Sequence, residues 1–267
     1  MKVGLVTGVK NENATLREWV EHYYSLGFYR IFIWDNNDVE DPMDVLQGYE
    51  DFVKILDHRN ANKDQLVAYN TVLKMDTGCD WLAFFDADEY LVLKEDATIS
   101  DYLSRFPDAD CIHINWKLYG DNGHLHPVPG MHTFDQFPKP CPRDVRVQYN
   151  WAENEHIKTI VRTGLWSVKF NNPHYCLCPK GIKVVNNRGL RVSNTYRAPI
   201  DYTLAELRHY QMRSTEEFCM KRLSRVGKQW DASVYGRDQQ IRRYFAQCER
   251  TPEKEELIKN FINGNWK

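Results

Sequence analysis

The residues with the clearest chemical potential are Asp86 and Asp88, in Asp86-Ala-Asp88 directly after the apolar run Trp81-Leu-Ala-Phe-Phe85. Core packing gives no reason to place two carboxylates there. In open α/β sheets, by contrast, ligands bind at the carboxyl ends of strands. Carboxylate oxygens suit hard cations such as Mg²⁺ or Mn²⁺, which keep some waters and accept phosphate oxygens in the remaining positions. The chemistry favoured by this pattern is metal-assisted departure of a phosphate-linked leaving group. An isolated D-x-D run is more often a solvated strand end, so the strand context and the partner residues have to decide.

A second group is Cys176-Leu-Cys178, with His174 and Cys141 upstream, which can be read as a zinc site. Its spacing matches no common zinc finger. The seven cysteines, at 79, 111, 141, 176, 178, 219 and 248, are odd in number and scattered. Free buried thiols in a reducing compartment are therefore expected rather than a disulfide framework.

The elements that must position these residues are legible from periodicity. Strands are expected at Val3–Val9, Tyr29–Trp34, Phe52–Leu56, Trp81–Phe85 and Cys111–Trp116, alternating with helices in the first third. Thr15-Leu-Arg-Glu18 has the form of a capping box, followed by Leu16, Trp19, Val20 and Tyr23 at helical spacing, with Gly27 as the stop. A helix is expected from about Asp64 to Met75 and a short one at Thr98–Arg105. Residues 119–154, with five of the eleven prolines, read as a long irregular segment, which in compact domains is usually functional. Two strand-like runs follow, His156–Thr163 and Leu165–Phe170, and the chain from about Tyr202 reads as helical.

At 267 residues, with 42% hydrophobic and 27% charged, the composition excludes disorder, collagen and coiled coil. No stretch approaches the roughly 18 apolar residues that cross a bilayer. Met1–Lys10 has no secretory-signal pattern, so a cytoplasmic location is expected. No internal repeat or linker is visible. One domain over 1–267 is expected, with a nucleotide-binding half at 1–110, an acceptor half at 111–200 and a helical segment at 201–267. Residues 1–110 hold 10 Lys and Arg against 22 Asp and Glu, a charge of −12, which leaves +10 for 111–267. The polarity suggests two functional faces.

The ordered set Val9-Lys-Asn-Glu12, Glu18-Trp-Val, Ile33-Trp-Asp-Asn36 and Trp81-Leu-Ala-Phe-Phe-Asp-Ala-Asp-Glu-Tyr-Leu91 resembles the GT-A glycosyltransferases. It is most similar to the branch around glycosyltransferase family 92 and its bacterial relatives. Asn115–Gly120, Lys158–Arg162, and His209–Ser214 with Glu217, Phe218 and Lys221 resemble that branch's later motifs. The resemblance implies an α/β GT-A fold, a mixed central sheet flanked by helices with a helical C-terminal extension. It implies transfer of a hexose, galactose as first guess, from a UDP-sugar to a hydroxyl of a glycan or lipid-linked glycan, with inversion and with Mn²⁺ or Mg²⁺.

Carried over by position, the resemblance assigns Thr7, Lys10, Asn11, Glu12 and Asp35 to the base and ribose, with Gln65, Tyr69 and Asn70 near the nucleotide. Asn11 and Glu12 read equally well as caps of the following helix, and Tyr69 reads as a core aromatic. Asp88 is the expected metal ligand, Asp86 touches metal or ribose, and a late histidine, His209 ahead of His174, completes the set. An inverting transfer needs a carboxylate base. The candidates are Asp121, which is preferred, Asp135, Glu153, Glu155 and Glu89. Arg213 and Lys221 are expected on the diphosphate. Arg208, Arg222 and Arg225 are expected to face an anionic acceptor, with peripheral association at an anionic membrane surface. A sugar nucleotidyltransferase fits less well, because Thr7-Gly-Val-Lys-Asn-Glu12 lacks a glycine-rich turn. A non-catalytic sugar-binding protein is disfavoured by the intact Asp86 and Asp88. No nucleic-acid-binding module is recognisable.

Overall fold

The computed structural model describes residues 1–37, 39–57, 65–146, 151–225 and 236–266. β1 (Val3–Val9) is buried along almost its whole length, as expected of an apolar strand covered on both faces. α1 (Asn13–Ser25) buries Leu16, Trp19, Val20 and Tyr23, the stripe read from the sequence. The expected capping box does not form. The helix starts three residues earlier, because the Glu12 carbonyl already accepts from the backbone N–H groups of Thr15 and Leu16. Gly27 follows at φ 75°, a left-handed turn that glycine adopts without strain.

The remaining strands are β2 (Arg30–Asp35), β3 (Val53–Asp57), β4 (Trp81–Phe84), β5 (Glu89–Leu93), β6 (Cys111–Leu118), β7 (Ile157–Arg162), β8 (Lys169–Phe170), β9 (Cys176–Leu177), β10 (Val184–Asn186) and β11 (Ala205–His209). The helices are α2 (Gln65–Lys74), α3 (Ile99–Ser104), α4 (Thr133–Gln136), α5 (Thr215–Lys221), α6 (Arg237–Gln247) and α7 (Pro252–Ile262). Nine strands form one sheet in the order β3-β2-β1-β4-β7-β6-β11-β5, with β10 paired to β6, and β8 and β9 form a separate hairpin. β1, β2, β3 and β4 run parallel, while β7 is antiparallel to both β4 and β6. This is the mixed, helix-flanked sheet that the GT-A resemblance implies.

The expected strand Leu165–Phe170 is reduced to Lys169–Phe170, β9, β10 and α4 are additional, and two further elements differ because they contain a buried acid. Ala205–His209, expected to be helical, is a strand whose Glu206 is fully buried and paired with Lys94 at 2.7 Å. A buried acid that needs a partner from a distant loop hides the strand from any hydrophobic pattern. β5 was hidden for a similar reason, since it begins at Glu89 inside the acidic run.

The chain divides into two compact units. The first comprises Met1–Trp116 and Glu155–Leu207, and the second Lys117–Asn154 and Arg208–Lys267. Val6, Phe32, Tyr69, Phe84, Val161 and Phe170 are central to the core of the first. Met212, Phe218, Leu223, Tyr244 and Ile258 form that of the second. Among the described residues, no helix is long and apolar enough to cross a membrane.

Candidate functional site

β1 has β2 on one side and β4 on the other, and both are parallel to it. The chain therefore leaves β1 toward β2 and β3, then returns to the opposite side as β4. That reversal is the topological switch point at which open α/β sheets bind ligands. Val6 lies opposite Phe84, and Val9 opposite Asp35, so the ends of all three strands open together. Asp86 and Asp88 follow β4, Lys10, Asn11 and Glu12 follow β1, and Asp35 closes β2. The structure thus brings most of the expected donor residues of the first unit to one edge.

At that edge Asp35 is fully buried, and its Oδ1 accepts from the Asn37 backbone N–H at 2.9 Å and from its side-chain amide at 2.8 Å. The Asn37 Oδ1 in turn accepts from the Asn11 backbone at 2.6 Å. Asn11 itself stands at φ 57°, a conformation that asparagine tolerates better than most residues. Glu12 is buried at the N-cap position of α1 without a side-chain cap bond. Thr7 is fully buried, and among the described residues its hydroxyl finds no hydrogen-bond partner. Such a group is costly unless a ligand or water satisfies it.

Around Asp86 three donors converge on one oxygen. Lys158 Nζ lies at 2.8 Å, Gln65 Nε2 at 2.5 Å and Tyr69 OH at 3.2 Å from Oδ1. Lys158 is completely buried on β7, whereas the Asp86 side chain keeps 30% of its surface exposed. Glu89, also fully buried, accepts from the Trp116 indole at 2.7 Å and from the Asp86 backbone N–H at 2.9 Å, with Lys158 at 3.7 Å. Burial pushes the Glu89 carboxyl well above the usual range, against the opposing pull of Lys158. Burial alone would lower the Lys158 ammonium, but Asp86 and Glu89 outweigh it and hold it charged. The backbone is fixed too, since Trp19 Nε1 and Tyr23 OH both donate to the Glu89 carbonyl at 2.8 Å. α1 therefore locks the turn that presents Asp86 and Asp88, the latter 5% exposed.

Lys158 is the site residue that sequence reasoning left without a role. Its signal was a lysine in a strand with Ile157, Ile160 and Val161 buried, where a buried ammonium requires an acidic partner. Tyr69 is both the core aromatic expected, packed against Phe84 and Phe170, and a donor to Asp86. Asn70 turns away from the site and bonds the Phe170 backbone in both directions.

Of the base candidates, Glu89 is sealed beneath Trp116 as described. Asp121 is 2% exposed in the second unit and is held by Lys254 at 2.7 Å, by the Gly123 N–H at 3.0 Å and by the Tyr244 hydroxyl. Glu153 is buried and lies 3.8 Å from Arg243. Asp135 is exposed and Glu155 half-buried. His174 belongs to the first unit, where its ring packs against those of Trp116 and His156. His209 ends β11 in the second unit and is 3% exposed. In that unit Arg213 is 5% exposed at φ 48°, with Glu217 at 3.6 Å, and Lys221 closes α5. Arg208 lies over the rings of Tyr119 and Phe134. The side chain of Arg225 lies outside the described residues.

Comparison with known proteins places the chain in a family. Residues 5–251 match the family described as Glycosyltransferase family 92. A family 92 protein of Oryza sativa subsp. japonica is 25% identical over 208 residues, covering 72% of this chain and 32% of its own length. One from Arabidopsis thaliana is 29% identical over 221 residues, covering 70% and 35% respectively. The chain thus spans about a third of the length of the curated relatives it matches. Among solved structures, TarS of S. aureus is 13% identical with a TM-score of 0.44, over 99% of this chain and 48% of TarS. A Mycobacterium tuberculosis glucosyl-3-phosphoglycerate synthase, in complex with Mn²⁺ and uridine-diphosphate-glucose, is 12% identical with a TM-score of 0.30, over 44% of this chain and 43% of its own. Likeness that distant transfers no activity, whereas the family match covers most of the sequence. The chain belongs to glycosyltransferase family 92.

Proposed function

We propose that this chain catalyses metal-dependent transfer of a hexose, galactose first, from a UDP-linked donor to a hydroxyl of a glycan, with inversion. The observation supporting this most strongly is the pair Asp86 and Asp88 at the switch-point end of β4, with Asp86 held by Lys158, Gln65 and Tyr69. Two carboxylates at an open strand end suit Mn²⁺ or Mg²⁺, because oxygen donors match a hard cation and phosphate oxygens complete its shell. Asp88 is the principal ligand, Asp86 is shared with Lys158, and His209 supplies the third ligand. When bound, the ion stabilises the negative charge that develops on the departing diphosphate.

The chain's own residues bind and orient the donor. Asp35 accepts from the uracil N–H or the ribose hydroxyls, and Thr7, Lys10, Asn11 and Glu12 line the base and ribose. Gln65 fixes Asp86 from α2. Arg213 and Lys221 hold the diphosphate. Proton removal from the acceptor hydroxyl is assigned to a carboxylate, Asp121 by the sequence resemblance, with the more exposed Asp135 and Glu155 as alternatives because Asp121 is paired with Lys254. Arg208, Arg222 and Arg225 face an anionic acceptor such as a lipid-linked glycan, at a membrane surface.

A screen of nucleotide-sugars, read as nucleoside diphosphate release with and without Mn²⁺, tests this reading. Metal-dependent release from a UDP-hexose that rises with a glycan acceptor is expected. Mn²⁺-dependent binding of UDP-sugars without turnover would instead mark a binding protein.

A further inference from the structure

Outside the carboxylate site, the first unit holds three cysteine sulfurs in one place. Cys111 Sγ lies 3.8 Å from Cys176 Sγ, which lies 3.6 Å from Cys178 Sγ, and all three are within 4.8 Å of one another. Among the described residues this is the only group of three metal-ligating side chains so closely packed. A tetrahedral ion bound at the usual Zn–S length of about 2.3 Å separates its sulfurs by about 3.8 Å, close to the 3.8 and 3.6 Å that separate Cys176 from its two neighbours. A disulfide requires about 2.0 Å and uses only two sulfurs, leaving the third unexplained.

A second observation concerns His113. It is two residues from Cys111 on β6, so both side chains leave the same face of the strand. The imidazole is 1% exposed, and among the described residues neither ring nitrogen has a hydrogen-bond partner. A buried imidazole with both nitrogens idle is expensive unless something binds it.

We propose that Cys111, Cys176 and Cys178 form a structural site for a thiophilic divalent metal, Zn²⁺ by ligand preference, with His113, which lies outside the close sulfur cluster but on the same strand face as Cys111, as the candidate fourth ligand. Thiolate and imidazole donors select zinc over the oxygen-seeking Mn²⁺ and Mg²⁺, so this site is chemically separate from the one at Asp86 and Asp88. Binding releases the thiol protons as Zn–S bonds form, with no change of oxidation state.

The site fastens a weakly structured stretch. Between Thr163 and Asn187 the chain forms only the two-residue strands β8 and β9 and the three-residue β10. The metal ties Cys176 on β9 to Cys111 on β6, the strand that already pairs with β10. Phe170, paired with Cys176 across the hairpin, is bonded to Asn70 and packed on Tyr69, whose hydroxyl reaches Asp86. The clip therefore braces α2 from behind the carboxylate site.

Co²⁺ titration of reduced, untagged, chelator-treated protein provides the test. One equivalent is expected to give thiolate-to-cobalt charge-transfer absorption that Zn²⁺ abolishes by displacement. Cys178→Ser, at the most exposed of the three positions, should weaken Co²⁺ binding at least tenfold. His113→Gln should keep the thiolate band, lower affinity about tenfold or more and shift the d–d bands. Should the variants fail to fold, a rise in wild-type melting temperature with Zn²⁺, reversed by chelator, supports the site independently. Absence of a thiolate band in wild-type protein whose three thiols are reduced overturns the proposal. So does a disulfide among the three sulfurs in protein purified without reductant. A His113→Gln titration superimposable on wild type overturns the fourth ligand.

Discussion

Replacing Lys158 by methionine probes how the Asp86 turn is held. The methionine fills much of the space of the lysine stem, so the change removes charge with little cavity. With an effective dielectric constant near 20, a charge 2.8 Å from Asp86 and 3.7 Å from Glu89 is worth roughly 6 and 4 kcal/mol of gross attraction. Most of that is offset by the cost of burying the ammonium. Breaking a buried pair by removing one partner typically costs about 3–5 kcal/mol. The 30% exposure of Asp86 lets water partly replace the lysine, and burial already favours a protonated Glu89. The expected loss is therefore near the low end, about 3 kcal/mol, or a fall in Tm of roughly 6–12 °C for a chain of this size. Thermal melting by circular dichroism measures it, with Asp86→Asn added to Lys158→Met to close a double-mutant cycle. Because the two groups touch, the combined loss should be smaller than the sum of the single losses by at least about 1 kcal/mol. A Lys158→Met protein melting with wild type, or strictly additive losses, would refute the ion-pair account.

Three further outcomes follow. Asp121→Asn leaves Lys254, 1% exposed, without its carboxylate partner and should cost about 3 kcal/mol in melting experiments; turnover per folded molecule decides the base, passing it to Asp135 or Glu155 if preserved and to Asp121 if selectively lost in an equally stable variant. His209→Ala should weaken Mn²⁺ and UDP binding together in calorimetric titrations, whereas His174→Ala, whose ring packs on Trp116 and His156, should affect stability or acceptor use; a metal defect confined to His174→Ala reverses the assignment. Gly120→Ala places a Cβ 2.6 Å from the Gln247 carbonyl oxygen, and since backbone yields poorly the cost should be about 1–3 kcal/mol, so an unchanged melting curve would contradict the packing described.

The parts of the molecule legible in the sequence are those in which local pattern and tertiary role agree. β1 matches its apolar run residue for residue, and α1 buries the four residues its periodicity selected. Asp86 and Asp88 were legible because carboxylates stand out after an apolar strand. The elements that escaped contain charge satisfied from afar. Glu206 inside β11 makes sense only beside Lys94, 112 residues earlier in the chain, and Lys158 inside β7 only beside Asp86 and Glu89. Asp121 was attractive as a base because it follows a strand in an aromatic-rich segment. Its engagement by Lys254 and Tyr244, more than 120 residues away, has no local signature. The cysteine cluster is similar: Cys176 and Cys178 are separated by one residue, but their partner is Cys111 on another strand.

The most direct measurement of the central claim is UDP release from a UDP-hexose by wild type and by Asp88→Asn, each with Mn²⁺ and with EDTA, after circular dichroism has established that the variant is folded. Loss of charge stabilisation on a departing diphosphate commonly costs about 3 kcal/mol or more, roughly a hundredfold in rate or greater. The account predicts that EDTA abolishes wild-type turnover and that folded Asp88→Asn is at least about a hundredfold slower, with little further response to EDTA. A folded Asp88→Asn protein with near-wild-type turnover, indifferent to EDTA, would contradict it.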